Sequence, residues 1–145
     1  MNFTEEEICN IVRENYSLEC RVRKLGGYDE LNYLLESNDG KKYVLKIGSD
    51  RQGFSVIKAQ IEMMNHLGRG ELGQKIQSIL RNKDGEELTR IDRNENACYL
   101  RILSFLEGTF WYEIESFSPL LFRNLGSFLG KMDNVLSTFS HPGLH

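Results

Sequence analysis

Lys46 stands in the run Tyr43-Val44-Leu45-Lys46-Ile47, one charge among apolar residues in a segment with the composition of a β-strand. An ammonium group so placed either faces water or is held against something negative. Turned outward, it keeps a sheet edge from pairing with another chain. Turned inward, it is a point cation for a phosphate. Upstream lies Gly26-Gly27-Tyr28-Asp29-Glu30-Leu31-Asn32, a glycine-led turn whose backbone N–H groups can close over an anion. The same stretch also reads as a simple tight hairpin turn. It matches neither GxxxxGK[ST] nor GxGxxG, and Asp29 and Glu30 would repel a phosphate if they pointed inward.

The other reactive side chains suggest no second centre. Cys9, Cys20 and Cys98 are odd in number, far apart and without a CxxC pair or nearby histidines, so they read as packed thiols. His66, His141 and His145 show no metal-ligand spacing. With 145 residues, 27% charged and 40% hydrophobic, the chain has the size and composition of one globular core. A net charge of -3 gives no global attraction to nucleic acid or to an anionic membrane. Any phosphate must therefore be bound by a local arrangement. No apolar run approaches a membrane span, and the N-terminus MNFTEEEICN is acidic where a secretion signal is basic and then apolar. The expected location is cytoplasmic, with neither nucleic acid nor membrane as partner.

Around Lys46 the sequence predicts an ordered series of elements. Thr4 with Glu7 forms a capping box ahead of Ile8, Ile11 and Val12, which predicts a helix over Glu5–Tyr16. Three antiparallel strands follow, about Cys20–Leu25, Leu31–Ser37 and residues 41–47, the last two joined by the turn Asn38-Asp39-Gly40. Val56, Ile57, Gln60, Met63, Met64 and Leu67 mark a second helix over residues 55–67. QKIQSILRNKDGEELTRI reads as a hairpin turning at residues 82–85, and ACYLRILSFLEG as the most apolar and central strand, ended by Gly108. Ser118-Pro119 starts a last helix, with Leu121, Leu125, Phe128, Leu129, Met132, Leu136 and Phe139 on one face down to His141-Pro142-Gly143.

Strand alternation puts Val44 and Lys46 on one face and Tyr43, Leu45 and Ile47 on the other. On the second helix the apolar residues centre on Gln60, while Glu62 points about 200° away toward solvent. Gln60 is thus the expected inward partner of Lys46, its amide oxygen a weaker acceptor than a carboxylate. A purely structural hydrogen bond from Gln60 satisfies the same pattern.

The order of elements, together with GGYDELNYLLES, GKKYVLKI, AQIEMMNHL, CYLRILSFLEGT and LLFRNLGSFLGKMDNVLSTFSHP, resembles the aminoglycoside phosphotransferase family of small-molecule kinases, and within it the hydroxylysine-phosphorylating branch. These segments cover nearly the whole chain. The resemblance implies an α+β, protein-kinase-like N-lobe: a five-stranded antiparallel sheet with one helix after the third strand, plus N-terminal and C-terminal helices. It implies a nucleotide-binding lobe over residues 1–108, ending in the hinge, and, over residues 109–145, a post-hinge segment and the first helix of a truncated second lobe. Lys46 matches the lysine that grips the nucleotide's phosphates, and Gly26 to Asn32 match the phosphate-covering loop, with Gly26, Gly27 and Tyr28 as its nucleotide-binding residues. Val44 matches the residue that roofs the purine, and Gln60 falls where the wider family has a helix glutamate. Ser104, Phe105 and Leu106 match the hinge whose backbone reads the purine edge.

The implied activity is transfer of a phosphoryl group from ATP or GTP, with Mg2+ in the complete enzyme, to a small hydroxylated metabolite, hydroxylysine first among them. The family's catalytic and metal-binding segments, HGDxxxxN-like and DFG-like, do not occur in this sequence. The chain is therefore expected not to turn over alone. Because the last helix lacks the lobe it would pack against, self-association is expected. The alternative reading is a non-catalytic, kinase-lobe-like binding or adaptor module, with Phe110, Trp111 and Tyr112 as an interface anchor.

Overall fold

The structure is a computed structural model, and it describes residues 2–49, 53–93 and 96–144; His145 lies outside them. Helix α1 spans Glu5–Tyr16 and starts as its sequence requires. Thr4 Oγ1 accepts from the Glu7 N–H at 3.1 Å, and Glu7 Oε2 accepts from the Thr4 N–H at 2.8 Å. Glu5, Glu6 and Glu7 place negative charge at the positive end of the helix dipole.

Strands β1 (Cys20–Leu25), β2 (Leu31–Ser37) and β3 (Lys42–Ser49) form an antiparallel meander. The β2–β3 turn needs Gly40, whose φ of 81° is in the left-handed region. Helix α2 (Phe54–Gly68) follows, then β4 (Ile79–Leu80), β5 (Thr89–Arg93) and β6 (Asn96–Ser104). β6 pairs with β3 on one side and with both β4 and β5 on the other, so it is central, as its apolar run predicts.

The expected hairpin turning at residues 82–85 needs correction. The turn exists, with the Gly85 N–H donating to the Asn82 carbonyl at 2.9 Å. Its flanks do not form a two-stranded ladder with each other. β4 lies along Ile102 and Leu103 and β5 along residues 96–100, so together they occupy one lane beside β6, interrupted by a short excursion. The sheet keeps five lanes although six segments build it.

The two faces of the sheet differ in chemistry. On one, Phe3, Ile8, Val12 and Tyr16 pack against Tyr33, Leu35, Leu45, Ile47, Cys98, Leu100 and Ile102 to make the main core. The opposite face is the one α2 covers. Ile57, Ala59, Ile61 and Leu67 are its buried residues, whereas Val56, expected inward, is exposed. α2 also makes a second contact, with the C-terminal segment: Ser55 lies against Gly143, the His66 ring nitrogen lies 3.0 Å from the Val135 carbonyl, and Glu62 pairs with His141 at 3.6 Å.

Helix α3 spans Pro119–Leu136, its Ser118 cap accepting from the Leu121 N–H at 3.1 Å. No residue of α3 is buried, and Leu125 and Leu129 of its apolar stripe are exposed. Phe110, Trp111 and Tyr112, at a 3-10 turn ahead of it, are exposed as well. Cys9, Cys20 and Cys98 are not joined in disulfides, and burial, then the neighbouring Cys9 thiol, pushes the Cys20 thiol up to about 11. Among the described residues, no helix is long and apolar enough to cross a membrane.

Candidate functional site

The face of the sheet beneath α2 presents two parallel rows. Pairing across strands aligns Leu34, Val44 and Leu103 in one row and Asn32, Lys46 and Arg101 in the next. The first row is apolar and lies toward the Ser104 end; the second is polar and lies toward the glycine turn. They are one side-chain repeat apart, about 7 Å along a strand.

At the polar row four side chains meet. Lys46 Nζ donates to Glu30 Oε2 at 3.2 Å. Arg101 engages the same carboxylate with a fork, Nη1 to Oε1 at 2.8 Å and Nη2 to Oε2 at 3.1 Å. Arg101 Nη2 also donates to Gln60 Oε1 at 2.8 Å. Burial is graded across the group: the side chain of Arg101 is 4% exposed, that of Glu30 13% and that of Lys46 29%. Two cations and one carboxylate, with a neutral amide where a glutamate would cancel the remainder, leave one uncompensated positive charge. That net charge belongs to the group as a whole; Lys46 is its most accessible cation and has N–H donors beyond the one it gives Glu30.

Gln60 therefore does face the sheet, and Glu62 does not. The expected contact of Gln60 with Lys46 is replaced by one with Arg101, because Arg101 reaches the amide and Glu30 reaches the lysine. Glu30 does point inward, the orientation in which the sequence reading has it repelling a phosphate, and there it is paired with both Lys46 and Arg101. Arg101 was not among the expected site residues, and Glu30 was expected only as a member of the phosphate-covering loop, with no partner assigned. The available signal was a lone arginine inside the most apolar strand: buried, such a charge requires a carboxylate partner.

The glycine turn is closely built at one position. A Cβ on Gly27 would lie 2.3 Å from the Glu30 carbonyl oxygen and 2.4 Å from Asn32 Nδ2, whereas one on Gly26 would meet open space. Asn32 Nδ2 donates to the Gly26 carbonyl at 3.0 Å, tying the turn to the polar row. Tyr28 is fully exposed at the tip. Gly27, Tyr28, Asp29, Glu30, Leu31, Ile47 and Ser49 line a cavity of about 220 Å³.

At the other end of the face, the backbone of the expected hinge is partly engaged. The Ser104 N–H donates to the Ser78 carbonyl at 2.8 Å, and the Ser104 carbonyl accepts from Gln77 Nε2 at 2.9 Å. The Phe105 N–H donates to the Lys42 carbonyl at 3.3 Å. Lys42 also pairs with Glu107 at 2.9 Å and lies over the Phe105 ring, which fixes this segment to β3. Leu106 is exposed beyond it. Among the described residues, no group of three or more His, Cys, Asp or Glu side chains is arranged to hold a metal ion.

No family model matches the chain. Among curated proteins it is similar to a hydroxylysine kinase of Danio rerio, 29% identical over 148 aligned residues that cover 97% of this chain and 41% of that protein. Among solved structures it is similar to an amicoumacin kinase in complex with AMP-PNP, Ca2+ and Ami, with a TM-score of 0.77 and 18% identity over 97% of this chain and 42% of that one. It is also similar to a microcompartment-associated aminopropanol kinase, with a TM-score of 0.68 and 16% identity over 94% of this chain and 42% of that one. The chain thus spans about two fifths of the length of the relatives it matches. It has the α+β, kinase-like fold of these small-molecule kinases, and its sequence is similar to that of a hydroxylysine kinase, in keeping with the resemblance its motifs carry.

Proposed function

We propose that this chain is the nucleotide-binding lobe of a small-molecule kinase, receiving the phosphates of ATP or GTP at Lys46 and the purine against the Val44 row. The observation that supports this most is the net positive cluster of Lys46, Arg101 and Glu30, with Lys46 partly exposed, on the face that also bears an apolar row one repeat away. A flat apolar ring and a polyanion joined by a sugar require that pairing of surfaces. Phe105 C=O and Leu106 N–H are the hinge groups left to read the purine edge, since the backbone groups of Ser104 are engaged.

On this reading, residues 1–108 bind nucleotide and residues 109–145 begin the surface against a second lobe. The acceptor would be a small hydroxylated metabolite, hydroxylysine first, held mainly by that lobe. Bound Mg2+ would neutralise phosphate charge as transfer proceeds, through ligands supplied by segments this sequence does not contain. The chain's own part is to hold and orient the phosphates.

Calorimetric titration of the chain with ATP and with GTP tests the reading. Weak, millimolar-range binding that disappears in Lys46→Ala is expected. Absence of binding, or binding untouched by that substitution, would remove Lys46 from the nucleotide site.

A further inference from the structure

The chain keeps a kinase-like lysine but has no carboxylate on α2 facing it; the residue there is Gln60, and its oxygen is taken by Arg101. The carboxylate that Lys46 does meet comes from the glycine turn. We propose that Glu30, clamped by Arg101, is the positioning residue for Lys46: the anchor that orders its ammonium toward a phosphate is carried by the turn and locked by β6. The inference rests on the nucleotide reading above and assigns roles to two residues that reading does not use.

Three observations argue that Glu30 is a fixed anchor and not a stand-in that an incoming phosphate displaces. Both carboxylate oxygens are engaged by the Arg101 fork, and Lys46 shares the second of them. Arg101 is buried, so a swing of Glu30 outward would leave a guanidinium charge in the interior with only an amide for company. The backbone around Glu30 is itself confined, because its carbonyl lies where any side chain on Gly27 would have to go. Lys46, by contrast, is partly exposed and has N–H donors free for a second anion. The chain of contacts runs from Gln60 to Arg101, to Glu30, to Lys46, and ends at its most exposed ionic member.

The two roles give opposite signs on substitution. Glu30→Gln raises the positive charge of the cluster, and Glu30→Gln with Arg101→Gln leaves the net charge as it was while removing the carboxylate. If local charge governed binding, the first variant would bind phosphate more tightly and the second would match the native chain. If positioning governs, both bind more weakly.

The experiment titrates ATP and inorganic tripolyphosphate into the native 145-residue chain, E30Q, E30Q/R101Q, R101K and K46A, with a thermal melt of each to confirm folding. For E30Q/R101Q, which leaves no buried charge unpaired, the expected result is a native-like melt and about fivefold or greater loss of tripolyphosphate affinity, the cost of ordering a long side chain afresh. R101K retains the charge but not the fork, and is expected to bind more weakly than the native chain. Native or tighter affinity in E30Q/R101Q, with K46A still abolishing binding, would overturn the positioning role and leave the nucleotide reading standing. Failure of the native chain to bind either probe would overturn both.

Discussion

Arg101 and Glu30, 71 positions apart in the chain, meet in a two-pronged ion pair of 2.8 and 3.1 Å with the arginine side chain almost fully buried. Removing one member of a buried pair leaves the other's charge uncompensated, and that penalty exceeds the net value of the pair. Glu30→Gln is therefore expected to destabilise the fold by about 3 kcal/mol, and Glu30→Gln/Arg101→Gln to recover to within about 1 kcal/mol of the native chain. Urea unfolding of the native chain, both single variants and the double variant closes the cycle. Equal losses for the single and double variants would show that the pair is not the unit.

The glycine pair separates in the same way. Gly27→Ala places a methyl group against the Glu30 carbonyl oxygen and the Asn32 amide, and the backbone cannot give there without moving Glu30. A loss of about 1–3 kcal/mol is expected for such overpacking. Gly26→Ala meets no neighbour and should stay within about 0.5 kcal/mol of native. Thermal melts of the two variants side by side provide the comparison.

Asp39 gives the β2–β3 turn an acid dependence. The Lys41 ammonium first, then the Ser37 hydroxyl and the Lys41 backbone N–H, hold its carboxyl at about 2, down from 3.8. For a carboxyl depressed on folding, the stabilisation is complete above 3.8 and is lost as pH falls through about 2. The Asp39 carboxyl resonance is expected to titrate near the lower value, and Asp39→Asn should flatten the stability profile between the two. A native titration midpoint near 3.8 would contradict the arrangement.

Self-association is expected from the exposed aromatic surface. Phe110 stacks on Tyr112 and Trp111 packs with Phe117 and Phe122, yet these rings remain substantially open to solvent. Sedimentation at rising concentration should show species larger than a monomer, reduced in Trp111→Glu/Phe122→Glu. A single monomeric species at high concentration would contradict it.

Local chemistry in the sequence carried most of the fold. The Thr4 and Glu7 pair sets the start of α1, Ser118 and Pro119 set that of α3, and period-two alternation separates Lys46 and Val44 from the core. The helical period likewise turns Gln60, not Glu62, toward the sheet. What sequence alone left out depends on register. Lys46 faces Arg101 only because β3 and β6 pair in one particular alignment; apolar alternation puts both residues on the same face, but which residue stands opposite which is set by the pairing of two strands far apart in sequence. Without Arg101 in place, Glu30 reads as a charge hostile to phosphate. The lanes of β4 and β5 fail to show for a related reason: a turn sequence fixes where the chain bends and not which neighbour its two arms choose.

The clamp around Glu30 also has a consequence for the order in which the molecule is made. The turn, β3 and α2 all leave the ribosome before Arg101 does, so a nascent chain has its lysine and its acid but not the buried base that locks them. Only when β6 inserts as the central strand does the polar row close, because long-range pairing is the slow part of assembling such a sheet. On the proposed nucleotide reading, a grip on phosphate would then be among the last properties the chain acquires, and its acquisition would report that the sheet is whole.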